Sequence, residues 1–206
     1  MIRIALTALS LLLPTLTVAA AQDRPRLVPD RDVTVTYRVL GDAAHIANAP
    51  AVSSVRASFS VQGERLRVEA PGQPAYMLLD RGARRMLLVM PAEHSFMDLP
   101  YDVSRALRFD EDDAHLTRRG RATVAGLSCT DYDVQTAHGR GTACLTDDGV
   151  MLRAQVATGD RSGGLEATGV SYAPQPNALF TPPAGFQRLE IPQLRLPSHA
   201  LAPSRN

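Results

Sequence analysis

The sequence predicts a mainly β protein with one curved antiparallel sheet, either rolled toward a barrel or folded as a sandwich. Apolar and polar residues alternate along most of the chain, which is the period of strands with one face toward a core. Turn-forming residues separate these runs at close intervals. Helical spacing of apolar residues is confined to one short segment. We therefore expect about ten short strands and one short helix.

The first strands follow from strict alternation. The run VTVTYRV places Val35 and Tyr37 on one face, and SVRASFSV does the same with Phe59. The run ERLRVEA then alternates arginines with Leu66 and Val68, and a Pro-Gly pair turns the chain after it.

The next two runs, AYMLLD and RRMLLVM, are predicted to form a hairpin joined at Arg81-Gly82. Both are apolar at successive positions, with Met77 and Leu79 in the first run. Strands of this kind are typically covered on both faces. We expect them near the centre of the sheet.

Four later runs, ATVAGLSCTDYDV, TACLT, VMLRAQVA and LEATGVSY, predict a meander. Turns are expected at Asp147-Asp148-Gly149 and in the GDRSGG cluster at 159–164. The acidic turn lacks the spaced ligands of a calcium loop, so it is interpreted as a plain hairpin turn.

One short helix is predicted in PYDVSRALRFD, which begins at Pro100 and in which Asp102 can cap the first turn. The acidic run at 110–113 is interpreted as a solvated loop. Residues 191–206 are Pro-rich and have no period, which predicts a mobile tail.

The N-terminus has the pattern of a secretory signal peptide over residues 1–21. Arg3 precedes an apolar stretch and three alanines suited to cleavage, and that stretch falls short of the ~20 residues of a membrane-spanning helix. We expect an exported protein, periplasmic or secreted, that does not span the membrane. Residues 22–31 would be a mobile lead and residues 32–190 a single β domain.

The two cysteines, Cys129 and Cys144, are predicted to form a disulfide, since an exported chain meets an oxidising environment. A zinc site needs about four N or S ligands and finds only His138 nearby, while a redox pair favours C-x-x-C spacing. Directly opposed cysteines would centre their hairpin turn before Gly139 and Gly141, the residues that favour a turn. Diagonal pairing and a bulge both stay open.

Charge and motifs argue against several function classes. Removal of Arg3 leaves 21 basic against 21 acidic residues, without the basic surplus of nucleic-acid binders. The histidines are scattered, and metalloprotease, nucleophile-elbow and phosphate-loop motifs are missing. Asp131 and Asp133 are interpreted as exposed carboxylates rather than an acid–base pair. We expect no catalysis, no cofactor, no metal and no nucleic-acid partner.

The stretch MLLVMPAEHSFM contains Met86, Met90 and His94, which are possible copper ligands in an exported protein. Pro91 is expected to interrupt the strand that would align them. We interpret the methionines as adaptable side chains that fill irregular apolar space. Such side chains also suit the wall of a tolerant lipid or peptide pocket.

Three stretches together resemble the periplasmic lipoprotein-carrier-like (LolA/LolB-like) superfamily, and within it an uncharacterised exported branch. They are GERLRVEAPGQPAYMLLDRGARRMLLVMPAEHSFMDLP, VAGLSCTDYDV and ALFTPPAGFQRL. The resemblance implies an incomplete, half-open antiparallel β-barrel whose concave apolar face, partly plugged by helices, holds acyl chains or an apolar peptide. The carriers begin with an amphipathic helix, for which QDRPRLVPDRD is too short and too rich in proline.

The strand pattern and the resemblance together predict a binding module for a lipid acyl chain or other apolar ligand. The cavity is expected on the face formed by Val35, Tyr37, Phe59, Leu66, Val68, Met77 and Leu79. By loose correspondence with a basic residue of the carriers, Arg65 and Arg67 are expected at its rim. The alternative is a sensor or assembly protein that recognises a partner polypeptide through the open sheet edge or the tail.

Overall fold

A computed structural model gives the fold and describes residues 24–41, 51–101, 114–136, 139–158 and 161–190. The signal peptide, most of the predicted helix and the tail lie outside these residues. Two short 3-10 helices, Pro91–Glu93 and Asn177–Phe180, are present in the described part. The strands are β1 Val33–Gly41, β2 Ser54–Ser60, β3 Arg65–Glu69, β4 Tyr76–Asp80, β5 Arg85–Met90, β6 Ser95–Leu99, β7 His115–Val124, β8 Leu127–Thr136, β9 Gly139–Leu145, β10 Met151–Thr158, β11 Arg161–Ser171 and β12 Gln187–Leu189.

The twelve strands form one sheet in the order β12-β6-β5-β4-β3-β2-β1-β11-β10-β9-β8-β7. Two antiparallel meanders, β1 to β6 and β7 to β11, join side by side through the pairing of β1 with β11. Strand β12 adds parallel to β6. The sheet is curved and does not close, which confirms the predicted mainly β, incomplete barrel.

The predicted hairpin of β4 and β5 is confirmed, and both of its faces are buried. On one face Leu79 pairs with Met86, and these residues are 3% and 1% exposed. On the other face Leu78 pairs with Leu87, and both are also buried. The successive apolar residues of these two runs are therefore explained by cover on both sides of the sheet.

The main hydrophobic core joins the two meanders. Tyr37 in β1 donates a hydrogen bond from its hydroxyl to the backbone oxygen of Met151 in β10, at 2.7 Å. Burial raises the pKa of the Tyr37 phenol, because the charged form would lie in an apolar environment. The buried members of the core are Val33, Val35, Tyr37, Phe59, Val124, Cys129, Cys144, Val150, Leu152 and Ala167.

The structure has the predicted disulfide between Cys129 and Cys144, with a Cα–Cα distance of 5.4 Å. Because Asp131 lies opposite Cys144 in the β8–β9 pairing, the cysteines are diagonal neighbours. Thr136 pairs with Gly139, so the turn lies one residue later than directly opposed cysteines would need. The diagonal alternative is therefore the correct one.

Two glycines in stretches expected to turn lie inside strands instead. A side chain at Gly141 would place its Cβ 2.3 Å from the backbone oxygen of Gln155, and one at Gly164 would come within 2.4 Å of that of Ala154. Both positions face the close approach of β10 to its neighbours. Glycine is required here by backbone proximity rather than by a turn.

The N-terminal lead crosses the predicted acidic turn. Arg31 donates to the Asp148 carboxylate at 2.7 Å, and its guanidinium lies 3.9 Å from the centre of the Tyr172 ring. The amide of Asp30 also donates to the backbone oxygen of Asp148, at 3.1 Å. The turn is a hairpin turn between β9 and β10, as predicted, and it contacts the lead.

Candidate functional site

The seven predicted cavity residues share one face of neighbouring strands, since directly paired residues point to the same side of a sheet. This face, called the concave face here, contains two rows. One row is Val35, Ala57, Val68, Met77, Leu88 and Met97. The other row is Val33, Phe59, Leu66, Leu79, Met86 and Leu99. Tyr37 continues the face opposite Val55.

Burial divides the concave face into two parts. Val35, Tyr37 and Phe59 belong to the main core and are 3–6% exposed. Toward β3 and β4, Leu66, Val68 and Met77 are only half-buried, whereas Leu79 is buried like its partner Met86. The apolar surface available to a ligand over β3 to β6 therefore follows the row of Val68, Met77, Leu88 and Met97.

Sequence reasoning missed the far side of this face, which consists of the half-buried Leu88, Met97 and Leu99. Strand β5 is apolar on both faces and β6 is short, so alternation in the sequence did not indicate which side of the sheet these residues face. The register of β5 against β6 is what adds them to the rows.

The alternation of β3 places Arg65 and Arg67 on the opposite face from Leu66 and Val68. The guanidinium of Arg67 lies 3.8 Å from the centre of the Tyr76 ring and donates to the backbone oxygen of Leu179 at 3.3 Å. In this arrangement Arg67 holds the C-terminal segment, residues 172–190, against the sheet.

The C-terminal segment covers the opposite face. The Asp32 carboxylate accepts the amide hydrogens of Val61 and Gln175, at 2.9 and 2.7 Å. Burial alone would raise the pKa of Asp32, but these hydrogen bonds and one from Ser60 outweigh it and lower the pKa. Further along, Phe186 packs against the apolar cluster of β4 and β5.

Asp98 fixes the end of this segment to the sheet. Its carboxylate accepts from Arg85 of β5 at 2.8 Å and from Arg188 of β12 at 2.7 Å. The hydrogen bond from Arg85, followed by the charges of both guanidinium groups, lowers the pKa of Asp98 despite partial burial. The face opposite to the concave one is thus occupied by the chain itself.

Lowering the pH is expected to weaken this attachment. A carboxylate with a lowered folded-state pKa stabilises the fold above its unfolded pKa of about 3.9, and this contribution is lost as the pH falls through the folded value. We expect Asp98→Asn to lower the free energy of unfolding at pH 7 by up to about 1 kcal/mol, since the ion pairs are partly exposed. The variant should lose less stability than the wild type between pH 7 and pH 3, as measured by urea unfolding.

Asp133→Asn is the matched control, because it removes one exposed carboxylate paired with Arg119 on another part of the sheet. It should leave the acid dependence close to that of the wild type. If the free energy of unfolding depends on pH in the same way in Asp98→Asn and in the wild type, Asp98 does not fix the C-terminal segment to the sheet as described.

A cleft with a volume of about 440 Å³ lies at one end of the strands β1, β9, β10 and β11. Val156, which is 52% exposed, lies on its wall. The seven predicted cavity residues do not line this cleft.

The predicted interruption of the methionine stretch is confirmed. Strand β5 ends at Met90, Pro91 begins a 3-10 helix, and the His94 ring lies 5.5 Å from that of Phe186. Across the ranges that the structure describes, no three His, Cys, Asp or Glu side chains are placed to hold a metal ion. In the same ranges, no helix has the length and apolarity to cross a membrane.

No known family model matches the chain, and no curated protein matches it in sequence. Solved structures do match in fold. An uncharacterized conserved protein from Thermus thermophilus superposes with a TM-score of 0.55 at 12% identity, over 78% of this chain and 90% of that one. MucB superposes with a TM-score of 0.53 at 13% identity, over 77% of this chain and 59% of MucB.

The matching structures also include a LolA superfamily protein, NE2245 from Nitrosomonas europaea, with a TM-score of 0.36 at 11% identity over 74% of this chain and 91% of that one. At these identities the likeness concerns the fold alone.

Proposed function

We propose that this chain is an exported, non-catalytic binding module that holds a lipid acyl chain or other apolar ligand on its concave face. One observation carries the proposal. Two adjacent rows of apolar side chains cross β1 to β6 on that face, and the row through Val68, Met77, Leu88 and Met97 stays half-buried over β3 to β6, while the chain's own C-terminal segment covers the reverse side of the same strands.

The chemistry of the rows suits an acyl chain. Their members are aliphatic side chains and methionines, apart from the aromatic ring of Phe59, and offer no charge for a polar ligand. Each methylene group removed from water contributes about 0.8 kcal/mol, so a chain laid across several strands gains affinity from contact area alone. The flexible thioethers of Met77 and Met97 can adapt to ligands of different shape.

An alternative rests on a different part of the sheet. Strand β7 is a ten-residue edge strand whose residues are mostly exposed, and such an edge can pair with an extended segment of another chain. MucB, which matches the fold, has been solved in complex with MucA(peri). In this alternative the protein is a sensor or assembly subunit that recognises a partner polypeptide.

A charge placed on the concave face tests the first proposal. Met77→Glu should weaken binding of a fluorescent fatty acid by about tenfold or more, because burying a carboxylate beside the ligand is unfavourable. Val61→Glu adds the same charge at a position that is 44% exposed and lies outside the two rows, and it should bind like the wild type. Fluorescence titration of the mature protein measures both.

Met77→Gln is a milder substitution that serves as a second variant in case Met77→Glu does not fold. Circular dichroism shows whether each variant has the secondary structure of the wild type. Equal affinities for Met77→Glu, Met77→Gln and Val61→Glu would show that the probe does not bind this face.

A further inference from the structure

Four arginines line a second cleft, which has a volume of about 1160 Å³. It lies between the N-terminal lead, strand β7 and the paired strands β8 and β9. Its charged or titratable lining residues are Arg24, Arg26, Arg118, Arg121, His115, Tyr132 and Asp147. Four arginines thus face one aspartate in a chain whose predicted mature form has no net charge.

A bulge in β7 brings two of these arginines to the same side. Arg118 and Arg121 are three residues apart, a spacing that would put them on opposite faces of a regular strand. The register shifts between Arg118 and Gly120, so that Arg118 lies opposite Tyr132 and Arg121 lies opposite Thr130. Since Thr130 and Tyr132 alternate regularly in β8, the shift turns both guanidinium groups toward one face.

These two arginines are also available for a ligand. The intervening Arg119 donates to Asp133 at 2.7 Å, and Arg26 is paired with Asp30. Within the described ranges, Arg118 and Arg121 have no carboxylate partner. Unpaired guanidinium groups that line a concave surface are a favourable setting for an anion.

A buried threonine in the same cleft points to the same use. Thr130 lines the cleft and is only 5% exposed. Tyr132, two residues further along β8, lies on the same face and also lines the cleft. Both hydroxyls can donate a hydrogen bond to an anion beside the two guanidinium groups.

We propose that this cleft binds a phosphate-bearing ligand, held by Arg118 and Arg121 and by the Thr130 hydroxyl. Guanidinium groups match the geometry of phosphate oxygens in paired hydrogen bonds, and a hydroxyl donates one more. The volume is above the range of about 300–1,000 Å³ typical of small-molecule sites and far larger than one phosphate ion needs. The headgroup of an anionic lipid and free phosphate share this chemistry.

Two probes separate the sources: isothermal titration with inorganic phosphate, and co-sedimentation with vesicles of phosphatidic acid in phosphatidylcholine. The double variant Arg118→Gln, Arg121→Gln should lose about tenfold in affinity for the probe that binds, because two charge-assisted contacts are removed. The double variant Arg119→Gln, Arg140→Gln makes the same change of charge outside the cleft lining and should retain wild-type affinity.

Thr130→Val provides a second variant that changes no charge, and it should also weaken binding. Binding to vesicles alone identifies a headgroup ligand, whereas binding to inorganic phosphate that competes with vesicles identifies free phosphate. The proposal is overturned if both probes fail to bind the wild type, or if the two double variants lose the same affinity. Met77→Glu should retain phosphate binding, so failure of the concave-face proposal and failure of this one are distinguishable.

Discussion

Replacing both cysteines, as Cys129→Ser with Cys144→Ser, is expected to lower the free energy of unfolding by about 3 kcal/mol. The bond closes a loop of 15 residues in sequence separation, and its removal returns that conformational freedom to the unfolded chain. Both residues lie in the main core, at 3% and 0% exposure. For a domain of this size the midpoint of thermal unfolding should fall by roughly 6–12 °C.

Thermal unfolding followed by circular dichroism measures this effect, and wild-type protein treated with a reductant is the control for the serine substitutions. The reduced wild type should unfold near the temperature of the double variant. Free thiols titrated in the native, unreduced protein would contradict the assignment.

Truncation of Leu152 to alanine is the second large effect that we expect. Leu152 is 0% exposed and belongs to the core that joins the two meanders. Loss of a fully buried leucine side chain costs about 2–5 kcal/mol, because the lost burial adds to the cavity left behind. Guanidinium chloride unfolding should show a lower midpoint with an unchanged slope.

Val156→Ala is the matched control on the same strand, since Val156 is 52% exposed. Its effect should stay within about 0.5 kcal/mol. If Leu152→Ala and Val156→Ala lose similar free energies of unfolding, Leu152 does not contribute to the core as described.

Local patterns predicted much of this fold. Period-two alternation identified β1 to β3, and successive apolar residues identified β4 and β5 as strands buried on both faces. The two cysteines and the acidic turn were also identifiable, because their chemistry depends on neighbours in sequence. These features require no knowledge of long-range pairing.

Long-range pairing is what the sequence did not reveal. The contact of β1 with β11, the parallel addition of β12 to β6 and the cover of one face by the C-terminal segment all join distant parts of the chain. The bulge at Arg119 likewise depends on the register of β7 against β8. One extra residue there decides which side two arginines face.

The candidate site was predictable only in part. Alternation correctly grouped Val68 with Leu66 on one face, but burial of Val35 and Phe59 in the core depends on the second meander packing against them. The contacts of Arg67 depend on the path of the C-terminal segment. The face on which a side chain lies follows from the local sequence, whereas its burial depends on which distant segments pack against that face.

Native mass spectrometry of the protein in its predicted mature form, purified without detergent from its native host, tests the central claim most directly. The concave-face proposal predicts a population heavier than the bare chain by the mass of one lipid, lost on mild activation and reduced in Met77→Glu. A bare chain, or a chain bound in fixed ratio to a partner polypeptide, would contradict it.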